Sequence, residues 1–187
     1  MEEEIQLQLD ITTEKMVKSV DHLQEELAKV RAGKATPNLL DGIMVDYYGS
    51  MTPLNQVSNI NTPDAKTIAV QPWEKAMIEP IEKAILAANI GFTPINNGDL
   101  IRINIPPLTE ERRKELVKQV RSIGESTRVS IRNFRREAND EFKKLKKEGL
   151  SEDQEKDAEG EVQKLTDKYV AKIDEILAQK ESDIMTI

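Results

Sequence analysis

Apolar residues recur three and four apart along three stretches of the chain, and this spacing predicts three helices. In the first, Met16, Val20, Leu23, Leu27 and Val30 share one face. Gly33 supplies a C-terminal stop there, with Arg31 and Lys34 near the negative end of the dipole and Pro37 just beyond. The second begins after Pro106-Pro107, with Thr109 as N-cap and Glu110 and Glu111 in the first turn. Leu116, Val120, Ile123, Thr127, Ile131, Phe134, Ala138, Phe142 and Leu145 then trace a seam that no proline interrupts before Gly149. At ~1.5 Å per residue such a helix is roughly 60 Å long. The third starts at Ser151, where Gln154 completes a capping-box pattern, and Ala158, Val162, Leu165, Tyr169, Ile173, Ile176 and Ile184 carry its seam. The short turn at Gly149 makes the last two helices antiparallel neighbours, and the first closes a three-helix bundle.

Between Gly33 and Pro107 the period changes. Residues 43–48, ending at Gly49-Ser50, read as a strand and turn; 67–70 and 100–105 read as further strands, the last preceded by the turn Asn96-Asn97-Gly98-Asp99. One short helix lies between them, with Pro80 at its first position and Asn89 and Gly91 at its exit. The expected fold is therefore α+β: a discontinuous antiparallel three-helix bundle of residues 1–32 and 107–187, and an inserted β/α/β domain of residues 33–106. Only two short connections join the two parts. Gly33 on one and Pro106 and Pro107 on the other are the candidate hinge residues.

Composition narrows the chemistry. The chain has 187 residues, no cysteine, and His22 as its single histidine. A thiol nucleophile and a cysteine zinc site are excluded, and the commonest catalytic base and metal ligand is nearly absent. His22 lies off the apolar stripe and reads as surface. No phosphate-binding glycine loop, calcium-loop spacing or nucleophile–base pair occurs, so no catalytic residue, metal or cofactor is expected. No apolar run reaches the ~20 residues that span a bilayer. Met1-Glu2-Glu3-Glu4 is acidic where a targeting peptide would be basic, which predicts a soluble cytoplasmic protein.

The net charge is −7, yet residues 108–147 carry +6 and residues 148–187 carry −7. Seven of the nine arginines lie between 112 and 136. Arg121, Arg128 and Arg135 are seven apart and Arg132 sits four beyond Arg128, so these four share one ridge beside the apolar seam. A guanidinium fork matches phosphate in two-point geometry, and a row of them on a straight helix suits a folded RNA backbone. The same residues also suit ion pairs with the acidic third helix, and both readings stand. Tyr47-Tyr48 could stack on bases, or place one ring in the core and one at the edge; Trp73 reads as a packing anchor.

Taken in order, Arg31-Ala32-Gly33, residues 39–43, Tyr47-Tyr48-Gly49, Pro53-Leu54, residues 106–113, 128–140 and 162–167 make the whole chain resemble the ribosome recycling factor family. The resemblance implies an L-shaped pair of domains. It also implies a cytoplasmic, monomeric translation factor that is not an enzyme. Such a factor binds the 70S ribosome after termination and, with elongation factor G and GTP, splits the subunits. It implies contacts of the bundle with large-subunit ribosomal RNA through Arg31, Arg113, Arg132, Arg135 and Arg136. Lys34 ranks lower, because the family commonly has arginine there and lysine lacks the fork. Two rival classes remain: a chaperone-like helical hairpin protein, which would need to oligomerise through its β elements, and an enzyme with an acidic site.

Overall fold

The computed structural model describes residues 1–30 and 33–186. In chain order the helices are α1 (Glu2–Ala28), α2 (Ile78–Ala87), α3 (Glu110–Lys147) and α4 (Glu152–Met185). The strands are β1 (Met44–Tyr47), β2 (Ser50–Pro53), β3 (Ser58–Asp64), β4 (Thr67–Pro72), β5 (Pro94–Asn96) and β6 (Ile101–Asn104). The chain divides into two compact units, one of Met1–Ala32 with Glu110–Ile187 and one of Gly33–Thr109. Long helices in one unit and a small antiparallel sheet in the other give the α+β class expected.

In the first unit α1, α3 and α4 each pack against the other two. The expected stripe of α1 is buried, and it runs further back than Met16. Thr12 is buried, and Ile5 and Leu9 pack on a cluster of Ala138, Phe142, Ala158 and Val162. Glu2, Glu3 and Glu4 in the first turn offset the positive end of its dipole. The helix stops at Ala28, short of Gly33. The amides of Lys29 and Val30 bond the carbonyls of Glu26 and Leu27 at 3.3 and 3.1 Å, the i→i−3 tightening that closes a last turn. Arg31, expected at this end, lies outside the described residues.

The 38 residues of α3 make a rod about 57 Å long. Leu116, Val120, Thr127, Ile131, Ala138 and Phe142 of the expected seam are buried, while Ile123, Phe134 and Leu145 are half-buried at its flanks. Gly124 is buried too, outside the expected seam. A Cβ there would lie 2.2 Å from Leu177 Cδ1 of α4, so the glycine is what allows the two helices to approach. The α3–α4 turn is a Schellman end: Leu150 N–H bonds Leu145 O at 3.0 Å, Gly149 N–H bonds Lys146 O at 3.2 Å, and Gly149 has φ +115. Ser151 and Gln154 form the capping box reciprocally.

The second unit has an antiparallel hairpin, β1–β2, and a four-stranded antiparallel sheet in the order β3-β4-β6-β5. Ile68 and Val70 of β4 and Ile101 and Ile103 of β6 point to one face and are fully buried with Ile81 and Ile85 of α2. The hairpin turns on Tyr48 (φ 48) and Gly49 (φ +88), and Asp46 Oδ1 accepts from Gly49 N–H at 2.8 Å. Pro80 lies in the first turn of α2 but not at its first position; Ile78 and Glu79 precede it, and a missing N–H is tolerated throughout that turn. Trp73 is not a packing anchor and is 60% exposed. Ile68 and Val70 set the inward parity of β4, but Trp73 follows the last residue of that strand, in a bend outside it.

Candidate nucleic-acid interface

The antiparallel register of α3 on α4 brings residues of opposite charge together in rungs. Arg121 Nε donates to Glu181 Oε1 at 2.9 Å. One heptad further along α3 and one heptad back along α4, Arg128 Nε donates to Asp174 Oδ1 at 3.0 Å, and a second guanidinium nitrogen joins the same oxygen. Both arginines are held more firmly protonated by these carboxylates. They edge a groove of about 570 Å³ together with Glu125, Asp174, Leu177 and Glu181. Glu125 accepts from Arg132 and from Arg128, each at 3.2 Å, and the two guanidinia pull its carboxyl below the ordinary range, Arg132 most.

The pattern changes at the next heptad. Arg135 has no carboxylate in ion-pair range among the described residues; its guanidinium donates to the amide oxygen of Gln163 at 3.1 Å. Gln163 Nε2 in turn donates to Asp167 Oδ1 at 2.8 Å. Arg136, exposed on the same turn, and Arg113 near the start of α3 also lack a carboxylate partner among the described residues. The Nε of Arg113 is buried without an acceptor among the described residues. Thus the candidate arginines do not form one uniform row. Arg121 and Arg128 are tied to α4, Arg132 is tied to its own helix, and Arg113, Arg135 and Arg136 have no carboxylate in ion-pair range among the described residues. From the sequence, Gln163 and Asp167 are named only within the segment 162–167 that carries the family resemblance, with no role, and Glu125 not at all. The heptad spacing of Glu181, Asp174 and Asp167 against Arg121, Arg128 and Arg135 was the available signal.

Lys34 is exposed in the smaller unit. Gly33 has φ +74, and a Cβ on it would lie 2.6 Å from Leu108 Cγ, so the two connections run side by side here. Beyond them the chain is pinned: Ala35 N–H bonds Ala65 O at 2.9 Å and Ile105 N–H bonds Lys66 O at 2.7 Å, both on the β3–β4 turn. Pro106 and Pro107 are exposed. In the same unit the hydroxyls of Tyr47 and Tyr48 donate to the two oxygens of Glu74 at 2.7 and 2.8 Å. Tyr47 packs on the core while Tyr48 is 73% exposed, one ring inside and one out. Among the described residues no helix is long and apolar enough to cross a membrane, and no cluster of three histidine or acidic side chains could hold a metal.

The family model described as ribosome recycling factor matches residues 23–185. The ribosome-recycling factor of Flavobacterium johnsoniae is 58% identical over the full length of both chains. That of Porphyromonas gingivalis is 58% identical over 94% of this chain and 95% of its own. A solution structure of the ribosome recycling factor superposes with a TM-score of 0.75 at 39% identity, covering 98% of each chain. A second structure has a TM-score of 0.62 at 48% identity, covering 97% of this chain and 98% of the other. It is the Thermus thermophilus factor, described with Escherichia coli elongation factor G bound to the post-termination complex.

Proposed function

We propose, since the chain belongs to the ribosome recycling factor family, that it binds the ribosome after termination and, with elongation factor G and GTP, separates the subunits and frees the messenger RNA. The observation that carries this reading is similarity over the whole chain, with neither unit missing. In this role the protein acts in the cytoplasm as a monomer and performs no chemistry of its own; the GTP is consumed by its partner. Full-length protein should co-sediment with 70S ribosomes and with separated large subunits. Adding elongation factor G and GTP should convert ribosomes to subunits. Absence of both effects would remove the reading, whereas a chaperone-like helical protein would suppress aggregation without either.

Within that role the bundle, residues 1–32 and 107–187, is the unit that holds large-subunit RNA. Arg113, Arg135 and Arg136 are the phosphate contacts, because their charge is not already spent on a carboxylate. Arg132 and Lys34 are secondary contacts, and Arg31 belongs with them by family likeness. The rungs at Arg121 and Arg128 favour the ion-pair role, tying α3 to α4. The inserted domain, residues 33–106, is the moving part. Ala35 and Ile105 are both fixed to the β3–β4 turn, which confines rotation to Gly33 and its neighbours and to Pro106–Pro107. Paired probes, one per unit, should report a distance that changes when elongation factor G and GTP join the complex.

A further inference from the structure

Arg121–Glu181 and Arg128–Asp174 are successive rungs of one ladder, seven residues apart on each helix. The same step leads next to Arg135 on α3 and Asp167 on α4. This third rung has the residues for an ion pair and does not make one. Gln163, four residues before Asp167 on α4 and therefore on the same face, occupies both partners: its amide nitrogen takes Asp167 and its amide oxygen takes Arg135.

We propose that Gln163 is a positioning residue that keeps Arg135 available to RNA by standing between it and Asp167. This rests on the reading of Arg135 as a phosphate contact. A neutral acceptor orients the guanidinium plane through one N–H and leaves the remaining donors and the full charge facing outward. A carboxylate in the same place would orient it equally well but cancel its field and compete with phosphate for its donors. Asp167 fixes the amide: by accepting from Nε2 it dictates that the oxygen, not the NH2 group, faces Arg135. An amide flipped the other way would present donors to a group that has only donors.

The test uses full-length protein, purified large ribosomal subunits, and thermal melting of every variant. With Gln163→Ala, Arg135 closes on Asp167 as its two neighbours close on theirs. Subunit affinity should fall about three- to tenfold with a shallower salt dependence, while the melting temperature holds or rises slightly. Gln163→Ala/Asp167→Asn, which leaves Arg135 no carboxylate at this rung to close on, should regain most of what Gln163→Ala loses. In an Arg135→Ala background, Gln163→Ala should have no further effect. Wild-type affinity in Gln163→Ala, failure of Asp167→Asn to rescue it, or losses that simply add to those of Arg135→Ala would each overturn the proposal. If Arg135→Ala itself binds like the wild type, the assignment of Arg135 as a contact falls first and the role of Gln163 falls with it.

Discussion

Two stretches of α3 carry arginines beside the apolar seam and put them to different use. From 121 to 132 each arginine meets a carboxylate, Glu181, Asp174 or Glu125. At 135 and 136 none does among the described residues. An arginine in a sequence announces a charge and a fork, but whether that charge is free depends on the facing helix. The first stretch ties helix to helix and turn to turn, while Arg135 of the second meets only the amide of Gln163 among the described residues.

The largest expected contrast comes from emptying one stretch at a time. On the proposed reading of both as phosphate contacts, Arg135→Ala/Arg136→Ala should weaken large-subunit binding roughly a hundredfold, with little change in melting temperature. Arg135→Lys/Arg136→Lys should recover only part, because the charge returns without the fork. Arg121→Ala/Arg128→Ala should leave binding near wild type. The loss of the Arg128 rung should cost about 0–1 kcal/mol of stability, as partly exposed ion pairs do. Binding assays and thermal melts on the same preparations check both halves. Equal losses of affinity from the two pairs would erase the distinction.

A smaller effect tests what lies beneath the joined stretch. Gly124 sits between the first two rungs, where Leu177 fills the space a side chain would take. Gly124→Ala gains about 1 kcal/mol of helix propensity. It also forces Leu177, which is only 4% exposed, out of its place, at about 1–3 kcal/mol. The net expectation is a destabilised bundle. In a Leu177→Ala background the same change should become stabilising, since only the propensity gain remains. A Gly124→Ala protein that melts higher than the wild type would mean the helices can separate there without cost.

The bundle was legible because three sustained periods, a capping box and a glycine stop all agree. What the sequence hid has physical causes. Gly124 carries no side chain to mark a seam, so a buried glycine looks like a gap in the pattern. The front of α1 hides its stripe: Leu7 and Ile11 are 59% and 38% exposed and blur the spacing of Ile5, Leu9 and Thr12. In the smaller unit, β2, β3 and β5 were not foreseen. β2 ends in Pro53, β5 begins at Pro94, and β3 (SNINTPD) is polar with a proline, so their ladders are held by their partners β1, β4 and β6 and not by their own propensity. For Trp73 bulk suggests burial, but the residue lies past the end of β4 and is exposed. For the interface, the basic and acidic helices were visible as net charge, but the division into spent and free arginines needs the register of one helix on the other.

The gentlest probe of the comparison is acid. Glu125 accepts from Arg132 and Arg128, and these bonds hold its carboxyl below the ordinary range. A group whose folded pKa is depressed adds stability above its unfolded pKa and loses it as the pH falls through the folded one. The contribution of Glu125 should therefore be complete at neutral pH and fade below about pH 4.3. Glu125→Gln removes the charge at every pH. The gap in melting temperature between wild type and Glu125→Gln should be small at pH 7 and close as the solution is acidified, even though other carboxylates lower both curves together. The same variant releases Arg132 from its only carboxylate partner among the described residues. If free charge is what separates the two stretches, Glu125→Gln should bind large subunits more tightly than the wild type at pH 7. Unchanged or weaker binding would mean that Arg132, paired or not, stays outside the contact surface.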